Sequence, residues 1–284
     1  MRRWRLGEKL GYAFLSLSML IVMCLFLGVL GFIVAKGIEA MSLSFLIEMP
    51  KSGMLQGGIL PAIVGTFLIS LITAIVAIPL GLGCAIYLHE YAYQGLLNRW
   101  IRTSVRNLAG VPSIIYGLFG LALFVEMLDF GASLLSSGLT LGLLTLPWTI
   151  TTSDEALKNV PQIYREGGYA LGGRKWQVIR TIVLPHALPG IMTGSILGLA
   201  RAAGETAAIL FTGVAFYLPY LPDSIFSQFM ALPYHLYVMA TQYPLTAKIE
   251  PITYATALVL IALILTMNLL GIIIRYRMRH KEHE

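Results

Sequence analysis

The chain has 284 residues, of which 57% are hydrophobic and 12% are charged, and its formal net charge is +6. Soluble globular domains carry about 25% charged residues, so this composition excludes an ordinary soluble protein and indicates an integral membrane protein. The positive charge requires no nucleic-acid partner, because the basic residues clustered at both ends of the chain are retained by an anionic lipid surface.

Six apolar stretches are long enough to cross a membrane as helices, which takes about 20 residues. They lie near 12–36, 59–88, 106–128, 132–152, 188–215 and 251–275. A cleaved signal peptide is disfavoured for the first stretch, because it is long, lacks a small-residue cleavage site and is followed by five more. The sequence therefore predicts an all-α, polytopic membrane protein with six transmembrane helices.

Lysine and arginine are distributed unevenly between the predicted loops, and cationic loops resist translocation. If both termini lie in the cytoplasm, the outer side carries only Lys36, Lys51 and Lys248, and the other basic loop residues lie inside. The distribution predicts cytoplasmic termini and a cytoplasmic loop between the fourth and fifth spans. His89 and Glu90, at the end of the second span, are interpreted as a solvated helix end.

The polar loop between the fourth and fifth spans carries the end signals of two short helices. Pro161 suits the start of a helix, and Gly172 suits its end about three turns later. A stripe of apolar residues predicts a second short helix over 174–183. The loop is amphipathic, so it needs a partner surface.

The spacing of five residues along this loop resembles the cytoplasmic coupling loop of bacterial ABC-importer permeases. These residues are Glu166, Gly172, Ile182, Leu184 and Pro185. The resemblance implies the type I permease fold of ABC importers, with coupling helices in a loop of about 154–187 that contacts a separate ATPase. One departure is Gly167-Gly168, where that family usually has two alanines; each glycine loosens the helix by roughly 0.5–1 kcal/mol.

The fifth predicted span contains two full charges at membrane depth, Arg201 and Glu205. An arginine at the centre of a membrane helix costs about 2.5–3.5 kcal/mol on insertion scales, so such a residue normally faces a polar pathway. Four residues apart, the two charges share a helical face and can pair. A guanidinium is suited to orienting a tetrahedral oxyanion, and a purely structural ion pair is the alternative. Thr206 and Ser113 are expected to add neutral contacts at this level.

The segment Arg201–Thr206, together with 110–120 and 231–237, is similar to the permease of the phosphate-specific ABC importer. The resemblance runs from about residue 59 to the end and favours the PstA-type subunit over its PstC-type partner. It implies import of inorganic phosphate across the bacterial inner membrane, and it divides the chain into an amino-terminal part (1–58), a core (59–275) and a basic tail (276–284).

The same resemblance implies the partners. They are a homologous PstC-type permease, two copies of a PstB-type ATPase, and a PstS-type phosphate-binding protein that is periplasmic or lipid-anchored. The chain has no phosphate loop ending in Gly-Lys-Ser/Thr, so ATP is expected to be used by the ATPase subunit alone. No catalytic residue, cofactor site or metal site is predicted in this chain, which is expected to be a transporter subunit and not an enzyme.

Three other functions are alternatives to phosphate import. A related ABC permease for sulfate, molybdate or phosphonate has the same coupling loop, and only the 201–206 and 110–120 segments favour phosphate. A secondary transporter is expected to show two halves with matching broken helices, and it has no use for a coupling loop. An intramembrane enzyme needs a carboxylate pair, a metal-ligand set or a Ser-His arrangement at membrane depth, and the sequence offers none.

Overall fold

The computed structural model describes residues 2–54, 56–93, 95–243 and 249–280. Lys248, one of the three predicted outer lysines, and the last four residues of the basic tail lie outside these ranges. The described part is mostly helical, as predicted, with one small antiparallel ribbon, β1 (Pro50–Lys51) paired with β2 (Gln56–Gly57).

The helices in chain order are α1 (Arg2–Gly37), α2 (Leu43–Ile47), α3 (Leu60–Ile86), α4 (Leu96–Leu108), α5 (Ser113–Gly120), α6 (Leu134–Lys158), α7 (Gln162–Ala170), α8 (Lys175–Val178), α9 (Leu184–Ala203), α10 (Leu232–Thr241) and α11 (Ile249–His280). Three of them continue into wide π-helical turns, which are Tyr87–Tyr91 after α3, Leu121–Met127 after α5 and Ile179–Val183 after α8. Five helical stretches in the described residues are long and apolar enough to cross a membrane, and the number rises to six if a pair of helices bent at a break is counted as one span.

The third predicted span, 106–128, is wrong as a continuous helix. The chain forms α4 and then α5 with its π-helical continuation, and the two helical pieces meet at an angle of 99°. The break falls at Gly110-Val111-Pro112, where proline disfavours helical geometry in the residue before it and has no amide proton to donate. Pro112 instead occupies the N-cap position of α5, immediately before the helix begins.

The fifth predicted span, 188–215, is also misplaced. The membrane helix runs from Lys175 to Ala203, so the short helix predicted over 174–183 is continuous with this span. The helix ends at Gly204, whose helix propensity is poor. Beyond it, the Glu205 carboxylate Oε1 accepts the amide proton of Ala207 at 3.1 Å, which holds the backbone in a non-helical turn.

The centre of the bundle is formed by α3, α6 and α9, which pack closely through small residues. A Cβ added at Gly142 on α6 meets Val76 of α3 at 2.9 Å, and one added at Gly198 on α9 meets Trp148 of α6 at 2.8 Å. Such small residues let membrane helices approach each other. By contrast, α1 packs along α11 and leaves its apolar surface exposed.

The segment 216–239 lies partly at the surface and partly inside the bundle. Tyr220 and Phe226 are exposed, but Phe229 to Met239 enter the bundle and pack against α3. The amide of Leu232 donates to Thr66 Oγ1 at 2.8 Å. His235 is fully buried and stacks on Phe216, and burial lowers the pKa of His235 to about 4, so its ring is neutral at neutral pH.

Candidate functional site

The broken third span and the end of α9 enclose a polar cavity of about 260 Å³, here called the Arg201 pocket. Its lining comes from the break, from α6 and from the end of α9, and it consists of Leu108, Ala109, Gly110, Val111, Pro112, Ser113, Leu144, Trp148, Arg201 and Glu205. Three of the four residues predicted for a substrate pathway, Arg201, Glu205 and Ser113, therefore meet in one place.

The fourth residue, Thr206, does not line this cavity in the described structure, although it follows Glu205 directly. The expected pairing geometry is also wrong. Arg201 lies in the last turn of α9 and Glu205 lies beyond the helix end, so they do not share a helical face. No ion pair joins them in the part of the chain that the structure describes, where Arg201 is exposed and Glu205 is half-buried.

The charges of the Arg201 pocket are therefore open to a ligand. One carboxylate oxygen of Glu205 accepts the Ala207 amide, which fixes the direction of the side chain. The indole nitrogen of Trp148 donates to the Gly194 carbonyl at 3.0 Å and is already satisfied. Arg201 and Ser113 remain as the side chains that can donate hydrogen bonds to an anion in the cavity.

The predicted coupling loop contains the predicted first helix, α7, which begins after Pro161 and ends before Gly172. Gly172 has φ of +82°, a left-handed conformation that favours glycine, and its amide donates to the carbonyl of Tyr169. The next amide, Gly173, donates to Gly168 five residues back, which completes a glycine-capped helix end. The helix end that the sequence predicts at Gly172 is therefore explained by the left-handed backbone of this residue.

The other predicted coupling residues divide into an exposed and a packed group. Glu166 and Pro185 are exposed, and Glu166 makes no hydrogen bond or ion pair within the described ranges. Ile182 packs against α7, where a Cβ added at Gly168 meets its Cδ1 at 2.7 Å, and Leu184 packs against the neighbouring buried cluster. The surface also exposes Leu171 at 90%, which suits contact with another protein.

Sequence reasoning missed a buried ion pair beneath α7. Arg165 lies in α7 and Glu90 in the π-helical end of α3, and their side chains are 8% and 6% exposed. Arg165 Nη2 and Nε donate to Glu90 Oε1 at 2.9 and 3.1 Å, and its guanidinium also donates to the carbonyls of Leu157 and Val160. One arginine therefore connects α7 with the neighbouring ends of α3 and α6.

A second arginine joins the same helix ends. Arg102 of α4 pairs with Asp154 of α6 and donates to the carbonyl of Leu88 at 2.9 Å. His89 Nδ1 lies 3.2 Å from Asp154 Oδ1. The interpretation of His89 and Glu90 as a solvated helix end is therefore wrong, because both side chains are engaged by neighbouring helices. Within the described residues, no group of three or more His, Cys, Asp or Glu is placed to hold a metal ion.

Residues 77–280 match a family model described as "Binding-protein-dependent transport system inner membrane component". The chain is 34% identical over 278 residues to the Phosphate transport system permease protein PstA 1 of Mycobacterium tuberculosis, covering 96% of this chain and 90% of that protein. It is 36% identical over 197 residues to the Phosphate transport system permease protein PstC of Pasteurella multocida, covering 60% of each.

Among solved structures, a bacterial ABC transporter involved in the import of the acidic polysaccharide alginate resembles this chain. The TM-score is 0.66 at 13% identity, with 96% of this chain and 99% of that chain covered. At this identity the likeness concerns the fold alone. It confirms the predicted permease fold of type I ABC importers.

Proposed function

Because the chain belongs to the family of binding-protein-dependent transport system inner membrane components, we propose that it is the PstA-type permease subunit of an ATP-driven importer of inorganic phosphate. The relative named PstA 1 covers 96% of the chain, whereas the relative named PstC covers 60%. This difference favours the PstA-type role. The partners are then a PstC-type permease, two PstB-type ATPase subunits and a PstS-type phosphate-binding protein.

The single observation that carries the substrate class is Arg201, which is exposed in a polar cavity beside a broken membrane helix and has no ion-pair partner among the described residues. Broken helices in transporters commonly form the site where an ion or substrate crosses the membrane. A guanidinium offers paired hydrogen bonds to an oxyanion, and Ser113 adds a neutral donor. Phosphate delivered from outside contacts Arg201 when the pathway opens.

Release is the second requirement, since a site that binds too strongly traps its ion. Glu205 lines the same cavity without pairing to Arg201 in this conformation. Its carboxylate repels an anion and can pair with Arg201 once the ion has moved inward. Glu205 thus keeps the affinity of the pathway moderate.

Coupling to ATP hydrolysis belongs to the exposed surface formed by α7, α8 and the start of α9, where Glu166, Gly172 and Pro185 are exposed. When the ATPase subunits close, they move α7. The buried Arg165–Glu90 pair then carries this movement to the ends of α3 and α6, because its four hydrogen bonds are satisfied only in one arrangement of the three helices.

Reconstitution tests this function. Proteoliposomes holding both permeases and the ATPase, with the binding protein outside, are expected to import phosphate only when ATP is inside. Sulfate, molybdate and phosphonate serve as matched substrates, each with phosphate as competitor. Import of one of them in place of phosphate would assign the chain to a related oxyanion importer. The absence of ATP-dependent import of any oxyanion contradicts the proposal as a whole.

Orientation is tested separately, with both termini proposed to lie in the cytoplasm of a bacterial cell. Gln228 and Lys158 are both exposed and lie at opposite ends of the bundle. Gln228→Cys is expected to react with an impermeant thiol reagent added to intact spheroplasts, and Lys158→Cys is expected to react only after lysis. The reverse labelling overturns the orientation.

A further inference from the structure

Helix α4 has the geometry of a helix that lies in the membrane interface. It meets the following membrane helix at 99°, so it runs across the bundle and not along it. Its exposed apolar side chains include Leu97 at 73% and Trp100 at 69%. Arg99, Arg102 and Arg106 follow one another at spacings of three and four residues, which places them together on another face.

The arginine face borders a cavity of about 650 Å³, lined by Gly95, Leu96, Asn98, Arg99, Arg102 and Arg106. Arg102 is neutralised by Asp154. Arg99 and Arg106 are exposed, and neither pairs with a carboxylate in the described parts of the chain. The cavity therefore carries two uncompensated positive charges at the edge of the membrane.

A second cavity adjoins the same helix and is apolar; it is here called the apolar groove. It measures about 460 Å³, lies between α4, α5 and α6, and is lined by ten residues that include Val105, Leu108, Val111, Ile115 and Tyr116. The one hydroxyl among these residues, on Tyr116, is occupied by the carbonyl of Leu108 at 3.0 Å. Consecutive residues of α4, Val105 and Arg106, thus line an apolar and a basic cavity.

We propose that these two cavities bind one anionic phospholipid. Its headgroup phosphate contacts Arg99 and Arg106, and an acyl chain occupies the apolar groove. A basic pocket beside membrane helices matches an anionic headgroup, and an apolar groove without free polar atoms matches hydrocarbon. A partner protein fits the two cavities less well than a lipid, because its surface would have to present both acidic groups and a long apolar side chain to the same helix, α4.

The site has a consequence for the transport pathway. Leu108 and Val111 line both the apolar groove and the Arg201 pocket. An acyl chain in the groove therefore packs against the broken segment that forms one wall of the pocket. A bound lipid is expected to stabilise this break. The lipid contacts Arg99, Arg106 and the apolar groove and not Arg201, so its binding does not depend on which ion is transported.

The test measures lipid retained by the purified importer. The protein is exchanged into phosphatidylcholine nanodiscs containing phosphatidylglycerol, and bound phosphatidylglycerol is quantified by native mass spectrometry. The double variant Arg99→Gln/Arg106→Gln is expected to weaken retention roughly 30-fold, at about 1 kcal/mol for each arginine. Ile115→Trp, which fills the groove from an exposed position, is expected to weaken it with the arginines intact. Arg277→Gln, which removes a charge at the end of α11, serves as the control and is expected to retain the lipid.

Three outcomes overturn the proposal. The first is unchanged retention in the double variant. The second is a loss of permease heterodimer with lipid retention unaltered, which assigns the surface to the second permease. The third is binding of free inorganic phosphate at Arg99 and Arg106 in pure phosphatidylcholine, which makes the site an ion site. Each is independent of uptake, so failure of this proposal is distinguishable from failure of the phosphate-import function.

Discussion

Two arginines in this molecule lie in opposite environments. Arg165 is 8% exposed, pairs with Glu90 at 2.9 Å and donates to two further carbonyls. Arg201 is exposed in a polar cavity with a glutamate nearby and forms no ion pair among the described residues. Each is a permanent charge close to a carboxylate in the same chain, but only one of the two is satisfied by that chain.

The difference separates a charge that holds helices together from a charge that awaits a ligand. A buried guanidinium needs its hydrogen bonds filled by the protein, since desolvating an unpaired charge costs several kcal/mol. A guanidinium left open in a transport protein is costly to keep at membrane depth and normally marks a pathway. Removal of the two arginines should therefore have different consequences.

The largest effect on transport is expected at Arg201. Arg201→Gln keeps much of the side-chain volume and removes the charge, so phosphate uptake is expected to fall by about 100-fold or more, since hydrogen bonds to charged groups contribute about 1.5–3 kcal/mol each. Complex yield and basal ATP hydrolysis are expected to persist, because no ion pair is broken. Uptake and yield are measured in Arg201→Gln, in Glu205→Gln and in the double variant.

The double variant distinguishes a phosphate pathway at Arg201 from a purely structural ion pair between Arg201 and Glu205. If Arg201 receives phosphate, adding Glu205→Gln does not restore uptake. If the two residues form a structural pair in another conformation, removing both charges relieves the stranded carboxylate and restores much of the yield and uptake. Recovery in the double variant would contradict the pathway.

The next largest effect is expected at the Arg165–Glu90 pair, where the single change Arg165→Met leaves Glu90 buried without its counter-charge. The expected loss of stability is about 3–5 kcal/mol. Adding Glu90→Leu removes the stranded charge, and the melting temperature of the double variant is expected to recover. The ratio of phosphate imported to ATP hydrolysed is expected to stay low, because the bonds that tie α7 to α3 and α6 are gone.

This ratio distinguishes transmission from simple stabilisation. If the Arg165–Glu90 pair only stabilises the fold, apolar packing can replace it. Both the melting temperature and the ratio of phosphate imported to ATP hydrolysed then recover in the double variant. Recovery of both quantities is the result that removes the pair from the coupling mechanism.

Much of the helical architecture was predictable because hydropathy and end signals report local physics. The spans near 59–88 and 132–152 agree with α3 and α6, and Gly172 ends α7 as its left-handed backbone requires. The extent of the fifth span was not predictable in this way. Ala208 and Ile209 lie in this stretch and are buried by the folded chain although they are not helical, and an irregular segment with buried apolar residues resembles a membrane helix in composition.

Tertiary hydrogen bonds stabilise that irregular segment, and they are absent from any local pattern. The amide of Ser133 donates to the Thr212 carbonyl at 3.0 Å, and the hydroxyls of Ser137 and Thr212 are hydrogen-bonded at 2.9 Å. The Arg165–Glu90 pair was equally hidden, because its members are 75 residues apart. The available signal was weak: Arg165 lies three residues before Gly168 and so shares the inward face of α7.

A smaller effect on ATPase binding is expected at Gly172. It tests whether the exposed surface of α7, which also carries Arg165 on its inner face, contacts the ATPase. A Cβ at Gly172 meets nothing within 4 Å, and its left-handed backbone is tolerated by Asn and Asp. Gly172→Asp and Gly172→Asn therefore form a pair that differs only in charge. Retention of the ATPase is expected to fall roughly tenfold to hundredfold for Asp relative to Asn, since an unpaired polar group in an interface costs about 1–3 kcal/mol. Equal retention and equal coupled uptake in the two variants count against docking at this surface.

The smallest effect separates the two glycines that stand where the family usually has alanines. A Cβ at Gly167 meets nothing within 4 Å, whereas one at Gly168 meets the methyl groups of Val178 at 3.0 Å. Gly167→Ala is therefore expected to stabilise α7 by about 0.5–1 kcal/mol. Gly168→Ala is expected to destabilise the loop by about 1–3 kcal/mol, because Val178 is β-branched and cannot turn away easily. Protease protection of the loop in the assembled importer measures both changes. If the variants behave alike, the packing of α7 on α8 is not what positions Arg165, and the contrast with Arg201 then rests on the ion pair alone.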